Sequence, residues 1–221
     1  MPDFLLELQS EEIPARMQVP AADALLAALK TGLGDLGQGD GEVWSGPRRI
    51  ACVLRGLPDR RPDRIVESRG PRVGAPDAAI AGFLRSVGFE AVEQCEIRGG
   101  DKGSFYYAVR REPGQSIEVE LAKLVPEILD RFPWPKSMRW ADHSVRWVRP
   151  LHGILAILIG PGGTRTVPIA WALGGGRRLQ SGDETVGHRF LAPERFPVSS
   201  VETYLAGLER RFVVAAPAER M

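Results

Sequence analysis

Cysteine is nearly absent from this chain of 221 residues: Cys52 and Cys95 are the only two, in unrelated contexts and without C-x-x-C spacing. That excludes a disulfide scaffold and a cysteine metal cluster, and predicts buried free thiols. Histidine is as scarce. His143, His152 and His188 have neither the i, i+4 spacing of a helical zinc pair nor cysteine companions, so no metal site is expected. No apolar run approaches the roughly 18 residues of a membrane helix; the longest, 151–159, is interrupted by His152 and Gly153. The acids at Asp3, Glu7, Glu11 and Glu12 are the opposite of a basic secretory leader, so the expected location is the cytoplasm, with no membrane partner. With 43% hydrophobic and 26% charged residues, the composition excludes disordered and collagen-like chains.

Motifs of hydrolytic and phosphate chemistry are also missing. Ser10, Ser104 and Ser144 lack the G-x-S-x-G surroundings of a nucleophile elbow. Gly174-Gly175-Gly176-Arg177-Arg178 lacks the P-loop spacing and a following helix, and reads as a turn. Glu11-Glu12, adjacent at a turn, suit solvation or capping of the next helix better than acid and base work. No catalytic residue is expected.

Charge, by contrast, is abundant and unevenly placed. Residues 1–45 hold eight acids against Arg16 and Lys30, about −6, whereas 46–72 hold eight arginines against Asp59, Asp63 and Glu67, about +5. Only four of the cations in the whole chain are lysines. Arginine suits planar, bidentate phosphate contacts, although a GC-rich genome produces the same bias.

The periodicity predicts a strand over Phe4–Leu8 and then a helix opening at Pro20, with Ala22, Leu25, Leu26, Leu29 and Leu33 on one face. Strands are expected at Val43-Trp44 and Arg48–Leu57, and a helix over Asp77–Val87. A hairpin follows with arms Cys95–Arg98 and Phe105–Arg110. Ser116 can cap a helix to Arg131 that Pro126 should kink or divide. Ile154–Ile159 and Arg165–Leu173 form a second hairpin around Gly160-Pro161-Gly162-Gly163, and Ser200–Arg211 a last helix. The fold class is therefore α+β: antiparallel sheet segments with packed helices, without regular βαβ alternation. Two subdomains are expected, 1–135 and 136–221.

Between Arg131 and Arg149, five cations alternate with Trp134, Trp140 and Trp147. Indoles that stack on bases beside cations that meet phosphates would suit RNA recognition. The rival, which composition favours, is that the indoles pack in the core with arginines over their edges.

Six short motifs in order carry a resemblance: Glu11-Glu12-Ile13-Pro14 after Leu5-Leu6 and Leu8, Pro47-Arg48-Arg49-Ile50-Ala51, Arg69-Gly70-Pro71, Pro135-Lys136-Ser137-Met138-Arg139-Trp140, Val148-Arg149-Pro150-Leu151-His152 and Gly187-His188-Arg189-Phe190. Together they resemble the N-terminal part of the bacterial glycyl-tRNA synthetase beta subunit. Gln9-Ser10 depart from the glycine and threonine usual there. The resemblance implies a subunit region without an active site of its own and without a cofactor, in a heterotetramer whose alpha subunit uses ATP and glycine. It implies an alpha subunit and tRNA(Gly) as partners, and singles out Lys136, Arg139, Arg146, Arg149, His188 and Arg189 as RNA-binding candidates. The alternative is a stand-alone RNA-binding or scaffold module without a synthetase partner.

Overall fold

The structure is a computed structural model that describes residues 1–100 and 103–216. Strand β1 (Asp3–Ser10) is followed by helix α1 (Ala15–Leu33), the hairpin β2 (Gly41–Gly46) and β3 (Arg49–Leu54), then β4 (Arg64–Arg72), α2 (Asp77–Val87), β5 (Glu96–Gly100) and β6 (Gly103–Glu112). Helix α3 (Ile117–Asp130) leads to β7 (Leu151–Gly160), β8 (Gly163–Thr166), β9 (Ala170–Gly174), β10 (Arg177–Gly182), β11 (Glu184–Val186), β12 (Arg195–Pro197) and α4 (Val201–Glu209). The sheets are antiparallel except for one parallel pairing of β10 with β7, as an α+β fold requires.

Two compact units emerge. The larger comprises Met1–Arg60 with the described part of Ser116–Met221, and the smaller is Arg61–Gln115. This division differs from the one expected at residue 135, because β1 pairs along its length with β3 on one side and with β7 on the other. A cut at 135 would sever the central strand from its neighbour. The smaller unit is instead an insertion between β3 and α3.

In the larger unit the sheet runs β2-β3-β1-β7-β10-β9, with β8 also on β7. Strand β1 is buried on both faces. Phe4, Leu6 and Leu8 share a core with Leu25 and Leu29 of α1 and Leu121 and Val125 of α3, while Leu5 joins Ala51, Val53, Leu155 and Ile157 against Tyr204 and Leu208 of α4. The two-residue strand period makes this possible. Helices α1 and α3 approach closely at Gly32, where a Cβ would overlap the Leu124 side chain.

Three local expectations are corrected. Helix α1 starts at Ala15, one turn before Pro20, because burial of Met17 extends its apolar stripe toward the N-terminus. The single hydrogen bond that Pro20 cannot donate is tolerated there. Helix α3 is not divided at Pro126 but runs through it as one element, its stripe of Leu121, Val125, Ile128 and Leu129 continuous against the core. The expected strand Arg165–Leu173 is two strands, β8 and β9, parted around Pro168, which has no N–H for a ladder.

The smaller unit is a three-stranded antiparallel sheet, β4-β6-β5, with α2 packed on it. Helix α2 has the bounds that its periodicity predicts, closed by Gly88 in the left-handed conformation at φ 71°. The tip of the β5–β6 hairpin, at residues 101–102, lies outside the described residues.

Candidate functional site

Four sequence-distant segments meet in the larger unit. They are the turn after β1, the Pro47-Arg48 turn of the β2–β3 hairpin, the start of β7, and the segment after β11. Arg48 donates to both oxygens of Glu11, at 2.9 and 3.3 Å. The His152 ring lies 2.9 Å from Glu11 Oε1; a carboxylate can only accept, so the His152 Nε2 carries a proton. Arg189 stands 3.6 Å from Glu12 and 4.0 Å from Glu11. Burial works against the charge on Glu11, but the His152 hydrogen bond and Arg48 outweigh it and hold the carboxyl below its usual range. Glu11 and Glu12 therefore bind cations; neither caps α1, whose N-cap is Pro14 without a side-chain bond.

Beneath this surface cluster lies a buried one. Glu7 and Arg49 are 2% and 5% exposed, and Arg49 Nη1 donates to Glu7 Oε2 at 2.9 Å. The Tyr204 hydroxyl donates to the same carboxylate at 2.6 Å, and the Thr185 hydroxyl donates to Glu7 Oε1. Burial, followed by the Glu7 charge, pushes the Tyr204 phenol well above its ordinary value. Burial disfavours the Arg49 cation as well, but Glu7 overrides it and raises the guanidinium further. The second Arg49 nitrogen donates to the carbonyl of Val186 at 2.8 Å and to that of Gly187 at 3.5 Å. Arg49 thus ties the segment carrying His188 and Arg189 to β1.

That segment is shaped by close packing. A Cβ on Gly187 would overlap Arg211 Cβ and come within 2.9 Å of the Arg211 carbonyl and 3.0 Å of the Ala192 carbonyl. His188 Nδ1 accepts from the backbone N–H groups of Phe190 and Leu191, both at 3.3 Å, and holds the turn. Beside it opens a cavity of about 660 Å³ with Trp44, Arg48, Arg49, Phe190, Phe212 and the start of α1 in its walls. Phe190 is 74% exposed and Phe212 63%.

The six sequence-predicted RNA-binding candidates fall in two places. His188 and Arg189 belong to the cluster just described, His188 as a turn anchor and Arg189 as the partner of Glu12. Lys136, Arg139, Arg146 and Arg149 are exposed on the segment between α3 and β7, where Met138 and Trp147 bridge backbone to backbone. Arg146 donates to the Ser137 hydroxyl and carbonyl at 3.1 and 2.8 Å, and Arg149 to the Val148 carbonyl at 3.0 Å. Among the described residues no ion pair or hydrogen bond engages Lys136 or Arg139. The tryptophans between them join an aromatic cluster: Phe132, Trp134, Trp147 and Trp171 of β9 meet in tilted and edge-on contacts with ring centroids 4.9 to 5.9 Å apart, and Trp171 Nε1 donates to Asp130 at 2.8 Å. Trp147 is buried in the core, and the half-buried Trp134 and Trp140 pack their rings against that core.

Sequence reasoning passed over Glu7, Arg49 and Tyr204. A signal was there. Glu7 stands in a strand whose neighbours on both faces are leucine, so its charge had to be buried and hence paired.

The site is an ion-paired surface on a mixed α+β unit, with no group of three or more His, Cys, Asp or Glu placed to hold a metal among the described residues. The family model for the glycyl-tRNA synthetase beta subunit matches residues 4–221, and the chain belongs to that family. Curated relatives agree. Glycine–tRNA ligase beta subunits of Ruegeria sp. (strain TM1040) and Paracoccus denitrificans are both 44% identical over the whole of this chain, and that of Rhodospirillum centenum is 42% identical. The chain spans about a third of the length of these relatives, 31% to 33%.

Proposed function

We propose that the chain serves as the N-terminal region of a glycine–tRNA ligase beta subunit, supporting tRNA(Gly) binding and aminoacylation in an assembly with an alpha subunit. The observation that carries this reading is the match to one family along essentially the whole chain. ATP and glycine are handled by the alpha subunit, and the work is done in the cytoplasm. No described helix is long and apolar enough to cross a membrane.

Within the region, Lys136 and Arg139 are the strongest RNA contacts, because no described residue satisfies their charge. Arg146 and Arg149 lie on the same exposed segment and add to its field, while their hydrogen bonds to Ser137 and Val148 hold it in shape. Phosphate neutralisation by such cations supplies most sequence-independent RNA affinity. The ion-paired cluster of Glu11, Arg48, His152 and Arg189 shapes the surface beside the cavity, its cations already balanced by carboxylates.

Co-expression with the alpha subunit tests the assembly. A beta subunit containing this region should co-purify with alpha and charge tRNA with glycine. A folded beta subunit that stays free of alpha and leaves glycylation unaffected would favour the stand-alone module instead.

A further inference from the structure

The inserted unit carries the end of the arginine-rich stretch on an open sheet face. Residues directly opposite in a ladder share a face, and the registers Arg69↔Tyr107, Arg72↔Phe105, Arg98↔Phe105 and Glu67↔Val109 put two aromatics on the central strand β6 with arginines from both flanking strands. The side chains complete the arrangement. The Arg69 guanidinium sits 3.8 Å above the Phe105 ring and that of Arg98 5.0 Å from the Tyr107 ring. Helix α2 covers the other face, where Gly70 leaves room for Phe83 and Arg110 donates to the Val87 carbonyl.

Not every cation here is free. Arg98 is held bidentately by Glu67, both bonds 2.9 Å, and also by Glu96; Arg111 is held by Asp63. No carboxylate among the described residues pairs with Arg69 or Arg72. The face thus carries two aromatic rings, each with a guanidinium over it, Arg69 on Phe105 and Arg98 on Tyr107, and in Arg69 and Arg72 two exposed cations of β4 that no described carboxylate neutralises.

We infer that this face of β4-β6-β5 binds a single-stranded segment of RNA, its bases stacking on the guanidinium groups of Arg69 and Arg98 that Phe105 and Tyr107 support, and its phosphates meeting Arg72 and the edge of Arg69. Stacking on aromatic side chains and guanidinium planes is available only to unpaired bases, and a strand's backbone tracks arginines spaced along a sheet. An acidic peptide would satisfy the cations but leave the aromatic pair without a role. The inference shares with the proposed function only the class of ligand and places it on a different unit and different residues.

The test uses the 221-residue chain and a mixed-sequence RNA oligonucleotide of about eight nucleotides, within the usual site size of a stacking surface. Its fully paired duplex and a glutamate-rich peptide serve as competitors. The single strand should bind best. Phe105→Leu and Tyr107→Leu should each weaken it roughly fivefold to a hundredfold, Tyr107→Phe should retain it, and Arg69→Gln with Arg72→Gln should flatten the log–log salt dependence by about 0.7 for each phosphate that is no longer neutralised. Equal affinity of the folded variants and wild type, or stronger binding of the duplex or the peptide, overturns the inference. Should Phe105→Leu fail to fold, the Arg69→Gln, Arg72→Gln double variant decides alone. Lys136→Ala with Arg139→Ala separates the two readings: loss of oligonucleotide binding in that variant only removes the sheet as a site and leaves the proposed function standing.

Discussion

Arg49 and Glu7 form an ion pair of 2.9 Å almost completely removed from water, and the same arginine reaches across to the carbonyl of Val186, in the segment leading to His188. The pair therefore fastens two distant parts of the chain, and its partners account for both carboxylate oxygens. Removing one side of such a pair strands the other charge, which costs about 3–5 kcal/mol. Arg49→Met should lower the stability of the chain by that order in chemical unfolding, while the double change Glu7→Leu, Arg49→Met should recover part of the loss. A stable Arg49→Met variant would show that the pair holds nothing.

Tyr204 lends the same network a spectroscopic signature. Its phenol is pushed well above the usual value of about 10 by burial and by Glu7. A group whose folded pKa is raised stabilises the fold below its unfolded pKa and loses that contribution as pH rises toward the folded value. Phenolate absorbance of the folded chain should thus lack one equivalent above pH 10, and the missing equivalent should appear together with unfolding. Early, fully reversible titration of all three tyrosines would contradict the buried hydroxyl.

For Glu11 the sign runs the other way. Its carboxyl is held below the ordinary value of 4.5, so the stabilisation it contributes is present above that pH and is lost as pH falls through the lowered folded value. The difference in melting temperature between wild type and Glu11→Gln should be constant near neutrality and close as the solution is acidified below 4.5. A difference that persists to lower pH would mean that the carboxylate's charge is not what matters there.

Gly187 is required by crowding from Arg211 and Ala192. Backbone carbonyls cannot step aside as a side-chain tip can, so Gly187→Ala should cost about 1–3 kcal/mol, the range for overpacking. Thermal unfolding measures it, and a shift indistinguishable from zero would mean that the segment relaxes freely.

The two cysteines should separate in a labelling experiment. Cys52 is completely buried and burial pushes its thiol up to about 12, whereas Cys95 is only half-buried. A thiol reagent at neutral pH should modify Cys95 first and reach Cys52 only on unfolding. Rapid modification of Cys52 in the folded chain would contradict its place in the core.

Local features were legible in the sequence because they depend on neighbours along the chain. The stripe and bounds of α2, the Ser116 cap and the glycine hairpin after β7 are of this kind. What could not be read depends on pairing across long separations. Nothing local in Phe4–Leu8 says that it lies between 49–54 and 151–160, and without that adjacency the meeting of Glu11, Arg48, His152 and Arg189 is invisible. For the same reason the expected boundary at 135 cut across one sheet. The tryptophans among the cations of 131–149 illustrate a different limit: composition allowed stacking or packing, and only the ring contacts with Trp171 and Phe132 decide for packing.

Whether this region touches tRNA is tested most directly by measuring tRNA(Gly) binding to the assembled ligase across a salt series. Single alanine variants at Lys136, Arg139, Arg146 and Arg149 are compared, each followed in parallel by thermal unfolding. Each true phosphate contact releases counterions, so Lys136→Ala and Arg139→Ala should flatten the slope of log affinity against log salt by roughly 0.7 to 0.9 with the melting temperature unmoved. Arg146→Ala should in addition lower the melting temperature, because it removes the bonds to Ser137. Slopes unchanged in all four variants would contradict the account and leave these residues as structure alone.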